Sequence, residues 1–310
     1  MITYIDLRTG AEMFGCRSSV LCLGTFDGVH RGHAELIRET LKMRDRLRKD
    51  DPQILGGAWC FRQPPACFLS SNTCKQITTI DEKIEVFKSF DLDFVAIGDF
   101  EELRNTEAKV FISDILRESC GCKGVVCGFD FTFGKGGVGT PAVISKEFKE
   151  SAKVVSQVLC DGSVVSSSEI RQLIANGEVE KAFDYIGRPY SISAKVVEGK
   201  MLGRKLGFPT INQFVPKQKI IPLSGVYATK TLIDGIEYIS VTNVGNNPTV
   251  ENTSVRCETH VIGYSGDLYQ KTLKVSFYKY LRKEQIFETV EKLVSAVRHN
   301  IEEAKKYFGI

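Results

Sequence analysis

From Val20 to about Val155, short β-branched runs alternate with stretches of helical periodicity. The apolar runs are "VLCL" (20–23), "ILGGAWCF" (54–61), "FVAI" (94–97), "GVVCG" (124–128) and "AKVV" (152–155). Between the first two, Leu36, Ile37, Leu41, Met43 and Leu47 fall on one face of a helical wheel, an amphipathic stripe. A second helix is expected from Asp81, where "DEKIEVFKSF" opens with acids that suit a helix N-terminus. Strands alternating with helices predict a doubly wound parallel sheet, with ligands bound at the C-terminal edge of its strands.

After Tyr190 the pattern changes to period two. "SISAKVVEG", "GVYATKTLI", "EYISVTNVG", "VRCETHVIGY" and "TLKVSFYKYL" all have strand character. The Asp234-Gly235 pair between the second and third suits a type I′ hairpin turn. Five or six such strands predict a small antiparallel barrel. A last helix carries Phe287, Val290, Leu293, Val294, Val297 and Ile301 on one stripe. The boundary between the two patterns is placed at Ile186–Gly187, giving domains 1–186 and 187–310; a chain of 310 residues is long enough for two.

Composition narrows the class without naming it. The net charge of +3 is too small to argue for a nucleic-acid partner, and the basic run "RDRLRKD" (44–50) reads as a solvated helix face. Ten cysteines form no C-x-x-C pair, and several lie inside apolar runs, as expected of free thiols in a reducing cytosol. "MITYIDLRTG" lacks the basic start and apolar run of a signal peptide, and no stretch approaches the roughly 18 apolar residues of a membrane span. A cytoplasmic enzyme or binding protein, with no nucleic-acid or membrane partner, is the expectation. Nothing here fixes the oligomeric state.

Candidate chemistry begins at "GTFDGVHRGH" (24–33), which holds two of the four histidines in the chain. It follows a strand and opens a helix, so its backbone N–H groups and the helix dipole favour an anion. His30 and His33 share a face if the helix starts near His30. The segment resembles the H-x-G-H nucleotidyltransferases, although class I tRNA synthetases and several cofactor adenylyltransferases use related loops. "GFDFTFGKGGVG" (128–139) sets Phe129, Phe131 and Phe133 around Asp130, either as core or as a stacking surface for a planar ring. Its Gly134, Gly136 and Gly139 fit G-x-G-x-x-G only weakly, because they do not open the first βαβ unit. "VSSSEIR" (165–171) reads as a capping box, Ser166 with Glu169; it also resembles the serine-rich turn that, with an arginine one helical turn later, holds triphosphate oxygens in adenylyltransferases of this class, which would give Arg171 that role, and both readings can hold together.

In the second half, "GRKLGFPTIN" (203–212) places Thr210 and Asn212 on one face of an extended segment, as hard oxygen ligands for magnesium carrying ATP phosphates. Glu258 lies on the polar face of an alternating strand with Arg256 and His260, where a solvated strand carboxylate is the plain reading.

Together these motifs, with "ITTIDEKIEVF", "GVYA", "NVGNNPT", "ETHVIGYSGDLYQKTLKV" and "LRKEQIF", resemble the bifunctional bacterial riboflavin kinase/FAD synthetase family over nearly the whole chain. The resemblance implies an N-terminal H-x-G-H nucleotidyltransferase domain and a C-terminal riboflavin kinase barrel. It implies ATP as co-substrate, Mg²⁺ as cofactor, and riboflavin, FMN and FAD as substrates and products. Its site residues would be Glu258 as kinase base, and Gly203, Lys205, Gly207, Thr210 and Asn212 for Mg-ATP, with Thr210 and Asn212 at the metal. For adenylyl transfer they would be His30 and His33, with Gly24, Phe26, Asp27, Gly28, Ser166, Ser167 and Arg171 around ATP, and Phe61, Asp130 and Phe131 on the flavin side. One departure stands out: the family's Phe-Asp/Glu-Pro-His/Asn-Pro becomes Phe61-Arg62-Gln63-Pro64-Pro65. Smaller ones are Ser168 for threonine and Thr132 for arginine. Arg62 either supplies charge to phosphate or marks a disabled adenylyltransferase. A kinase with a silent first domain, an H-x-G-H enzyme for another cofactor, and a non-catalytic flavin or nucleotide sensor are the alternatives.

Overall fold

The computed structural model describes residues 3–6, 17–69, 75–199, 202–246 and 255–310. Cys16, Cys74, the Lys200-Met201 pair and the end of "NVGNNPT" lie outside them. The chain divides into two compact units, Met1–Ser167 and Ser168–Ile310.

The first unit runs β1 (Thr3–Asp6), β2 (Ser19–Leu23), α1 (Arg31–Leu47), β3 (Leu55–Phe61), α2 (Ala66–Leu69), α3 (Ile80–Phe87), β4 (Phe94–Gly98), α4 (Phe100–Leu103) and α5 (Ala108–Val110). A π-helical stretch (Phe111–Ser119) leads into β5 (Cys122–Gly128), α6 (Pro141–Phe148) and β6 (Ala152–Val155), and the hairpin β7 (Leu159–Cys160) and β8 (Ser163–Val164) precedes α7 (Ser167–Ala175). The six main strands form one parallel sheet in the order β1-β4-β3-β2-β5-β6. β2 therefore stands where the winding reverses, with β3 on one side and β5 on the other. The loop leaving its C-terminal end occupies the topological switch point, where open α/β sheets bind ligands. The five predicted strands are all present. β1 was not anticipated, because four residues with one alternation carry little periodic signal.

Apolar side chains fill both faces of this sheet, Trp59, Phe94 and Val125 on one and Cys22, Phe26 and Val126 on the other. The thiols in these layers are free and buried, including Cys22, Cys60 and Cys127. The solvated reading of the 44–50 run fails at Arg44, which is 4% exposed. Gly56 leaves room for it, since a Cβ there would sit 2.9 Å from Arg44 Cδ. The guanidinium is then satisfied by Asp91 at 3.0 Å, Asp93 at 3.3 Å and Asp45 at 2.9 Å. Acids contributed by another part of the chain made this cation buriable.

The second unit contains most of α7, then α8 (Val179–Ile186), β9 (Tyr190–Val197), α9 (Leu202–Lys205), β10 (Thr210–Phe214), β11 (Gly225–Ile233), β12 (Ile236–Asn246), β13 (Val255–Val261), β14 (Thr272–Arg282) and α10 (Val290–Tyr307). Six antiparallel strands close a barrel in the order β10-β13-β12-β11-β14-β9. Closure removes exposed sheet edges. The β11–β12 turn has Asp234 and Gly235 both at positive φ, 49° and 85°, as a type I′ turn requires. The interior is partly polar: Thr229 bonds Ser240 at 2.9 Å and Thr242 at 2.8 Å, and Thr242 bonds Thr259 at 2.9 Å. α8 buries Val179, Ala182, Tyr185 and Ile186 and ends at Gly187, whose φ of 83° is left-handed. Phe287, placed on the last helical stripe by periodicity, precedes α10 instead.

Candidate functional site

The 24–30 loop is held from three directions. Asp27 is buried, and its Oδ1 accepts from Ile77 N–H at 2.9 Å and Thr78 N–H at 3.2 Å. Thr78 Oγ1 accepts from Gly28 N–H at 3.0 Å, and Ser167 Oγ donates to the Asp27 carbonyl at 2.9 Å. Lys83, on α3, donates to Thr25 O and Phe61 O at 3.0 Å each. Gly28 has a φ of 82°, and a Cβ there would lie 3.0 Å from Ile77 Cδ1, so the turn needs glycine on both counts.

This clamp delivers the histidines to the start of α1. His30 is the N-cap; its Nδ1 accepts from His33 N–H at 3.4 Å, while His33 Nδ1 accepts from His30 N–H at 3.3 Å. It is a capping box built from two imidazoles. The rings stack at 3.7 Å between centroids and are 7% and 8% exposed. With both Nδ1 atoms accepting, the neutral rings carry their protons on Nε2. Phe26 packs on His33 with centroids 4.9 Å apart. Gly24, Phe26, Asp27, Gly28, His30, His33 and Ser167 are thus gathered at the switch point. Ser166 flanks α7, and Arg171 lies one turn along it, in the second unit.

At the end of β3, Phe61 packs edge-on against Trp59 and Phe100. Arg62 Nε lies 3.4 Å from Asp99 Oδ1, and its N–H donates to Gly98 O at 3.0 Å. The substituted residue is therefore tied to the neighbouring strand end by an ion pair. Phe131 stacks on buried Phe133 at 5.7 Å, whereas Phe129 is 50% exposed and Asp130 is exposed. The three phenylalanines do not surround Asp130 equally, because Phe133 turns into the core.

In the barrel, β10 and β13 pair so that Thr210 opposes His260, Asn212 opposes Glu258 and Phe214 opposes Arg256. Directly opposed residues share a sheet face, so the candidate ligand and base side chains form one row. Arg256 Nη1 stands 3.8 Å from Glu258 Oε1 and 3.5 Å from Asn212 Oδ1, with its guanidinium over the Phe214 ring. Gly203 is tightly packed, since a Cβ there would overlap the Phe208 carbonyl. Lys205 and Gly207 are exposed at the end of α9. Two clefts meet at Thr210. One of about 530 Å³ has Glu258 and His260 facing Leu293, Val294 and Val297 of α10; the other, about 590 Å³, is lined by Arg204, Tyr264, Asp267 and Tyr269. Among the described residues no group of three or more His, Cys, Asp or Glu could hold a metal. Thr210 and Asn212 offer neutral oxygens only, which fits an ion bound chiefly by nucleotide phosphates.

Several participants were not singled out from the sequence. Asn243 Nδ2 donates to Glu284 Oε1 at 2.9 Å beside Arg282 in the cleft that faces α10. The Ile77-Thr78 backbone and Lys83 carry the loop clamp. A lysine on the same stripe as Ile80, Ile84 and Phe87 was the available signal.

A parallel sheet with a paired-histidine turn at its switch point, joined to a closed barrel with two converging clefts, defines a two-site nucleotide-using transferase architecture. The FAD synthetase family model matches residues 15–169 and the riboflavin kinase family model matches residues 186–308. The bifunctional riboflavin kinase/FMN adenylyltransferase of Escherichia coli K12 is 32% identical, covering 100% of this chain and 98% of its own. Its counterpart in Buchnera aphidicola is 31% identical over 94% and 95%. A solved Streptococcus pneumoniae structure described as a macrolide-efflux protein superposes with a TM-score of 0.87 at 27% identity, covering 98% of this chain and 99% of that one. Among the described residues of this chain no helix is long and apolar enough to cross a membrane. The chain belongs to the bifunctional riboflavin kinase/FMN adenylyltransferase family.

Proposed function

We propose that this chain phosphorylates riboflavin with ATP to give FMN and ADP in the barrel, then adenylylates FMN with a second ATP to give FAD and pyrophosphate at the parallel sheet. The observation that carries the reading is the presence of both family matches along one chain, each coinciding with its own constellation of polar residues. The functional boundary is kept at 186–187, where the kinase match begins.

In the barrel, the riboflavin hydroxyl attacks the γ-phosphorus of ATP, and Glu258 takes the hydroxyl proton. The apolar cleft beside Glu258 receives the flavin and the polar cleft the nucleotide, so the reacting atoms meet near Thr210. Gly203, Lys205 and Gly207 are assigned to the nucleotide by their place in the segment that leads to Thr210 and Asn212. Thr210 and Asn212 would hold magnesium, which when bound neutralises phosphate charge during transfer. In the first unit, an FMN phosphate oxygen attacks the α-phosphorus of ATP and pyrophosphate leaves. His30 and His33 donate from Nε2 to the phosphate oxygens, supported by the N-terminus of α1. Ser166 and Ser167 hold the outer phosphates, and Phe61, Asp130 and Phe131 the flavin. Arg62 stands at the same edge, held in its ion pair with Asp99. A cytoplasmic location belongs to this reading and is supported by the free buried thiols.

The test is a time course with riboflavin, ATP and Mg²⁺, the flavins separated by chromatography. FMN rising first and then giving way to FAD, with pyrophosphate released, is the expected result. FMN accumulating without FAD, even when FMN is supplied directly, would leave a kinase with a silent first domain.

A further inference from the structure

Lys83 is 0% exposed, yet among the described residues the ordinary partners of a buried ammonium are missing. Its Nζ donates to two neutral carbonyls, Thr25 O and Phe61 O, each at 3.0 Å. Among the described residues no carboxylate lies within ion-pairing distance of it, and no acceptor takes its third proton. Glu82, its neighbour on α3, turns instead to the Thr79 N–H at 3.0 Å. A desolvated cation without a counter-charge is expensive, and neutral carbonyls recover only part of that cost. The same molecule buries Arg44 among three aspartates, so an acidic partner was available to this fold where stability alone was at stake.

The position of Lys83 gives the missing counter-charge a chemistry. Thr25 belongs to the loop that leads into His30 and His33, and Phe61 ends the adjacent strand, so Nζ lies under the ligand edge of the sheet. Both carbonyls point their oxygens at the lysine and therefore away from the space above the loop, where they would repel an anion. We propose that Lys83 is a positioning residue for adenylyl transfer. Its buried charge would hold the 24–30 loop against β3 and supply the standing positive potential that recruits the pyrophosphate portion of the nucleotide. This rests on the assignment of nucleotide phosphates to that loop. The lysine acts through the loop and the field and needs no contact with the reacting atoms.

Pyrophosphate and adenosine serve as probes on the full-length protein, because they separate the charged from the neutral half of the ligand. The expected result for Lys83→Gln, which keeps a donor and removes the charge, is at least tenfold weaker pyrophosphate binding by calorimetry. Adenosine competition should change less than twofold, and the KM for ATP in FAD formation should rise. The unfolding midpoint of the first unit, measured on the same sample, serves as the folding control, and Lys83→Arg should retain most of the pyrophosphate affinity. A loop merely loosened by the substitution would weaken both probes together. Should Lys83→Gln leave the first unit unfolded, the unsubstituted protein still decides the matter. Its slowly exchanging Lys83 ¹⁵Nζ resonance should shift with pyrophosphate and not with adenosine. Unchanged pyrophosphate binding in Lys83→Gln, or an unmoved resonance, overturns the proposal. Wild-type protein that binds pyrophosphate through Lys83 but makes no FAD would instead remove the adenylyltransferase reading.

Discussion

His30 and His33 each serve two ends at once. Each imidazole uses Nδ1 to cap the other residue's backbone, which leaves the Nε2 proton for a ligand. On the proposed assignment, replacing His33 by alanine removes a phosphate donor as well as half of the capping box. The expected loss in FAD formation is about 10²–10³-fold, by analogy with the removal of one oxyanion donor, with kinase turnover unchanged. Glu258→Gln should do the reverse: riboflavin phosphorylation falls by about 10²–10⁴-fold, the ordinary worth of a general base, while FAD forms normally from supplied FMN. Assaying the two steps separately in each variant checks both outcomes. The thiols offer a third test. Burial pushes Cys22, Cys120 and Cys257 from an ordinary 9.0 up to about 12. Below about pH 9 they are protonated folded or unfolded. Above it the unfolded chain ionises while the folded chain does not, so the stability they confer is lost as pH rises towards 12. The midpoint of chemical denaturation should fall steadily across that window, and native thiols should resist alkylation at pH 8.

At the scale of elements, the first site is an agreement between segments about 50 residues apart. The "GTFDGVHRGH" turn was legible as a strand-to-helix anion loop, because its residues are contiguous and its glycines and histidines are unusual in a chain with four histidines. What Asp27 does was not legible. It is buried against the Ile77 and Thr78 amides, and only the approach of α3 to β2 brings those donors there. Asp27→Asn replaces two charge-assisted hydrogen bonds with weaker ones, a loss of about 1–3 kcal/mol. The first unit should unfold at a lower denaturant concentration and make less FAD, with kinase turnover retained. The barrel row is the opposite case. Period-two alternation put Glu258 beside Arg256 and His260, and "PTIN" put Thr210 beside Asn212. That the two pairs oppose each other across β10 and β13 is a matter of register, set by barrel closure.

On the scale of the whole molecule, α8 belongs physically with the barrel although periodicity groups it with the helices before it. It buries Val179, Ala182, Tyr185 and Ile186 within the second unit. A fragment of residues 168–310 should therefore be more stable than one of residues 187–310, by several degrees in Tm, because the shorter piece exposes the surface that α8 covers. Differential scanning calorimetry on the two fragments checks this.

The sequence by itself determined the two architectures, their order, and the motifs that carry chemistry. Each of those depends on local periodicity, turn residues and contiguous spacing, which a linear chain records directly. It could not determine that Arg44 is buried, that Arg62 pairs with Asp99, that Lys83 donates to a loop carbonyl 58 residues away, or that two clefts converge on Thr210. Those are long-range juxtapositions. Burial and electrostatics depend on which distant segments displace water around a side chain, and only the closed sheet and barrel decide that.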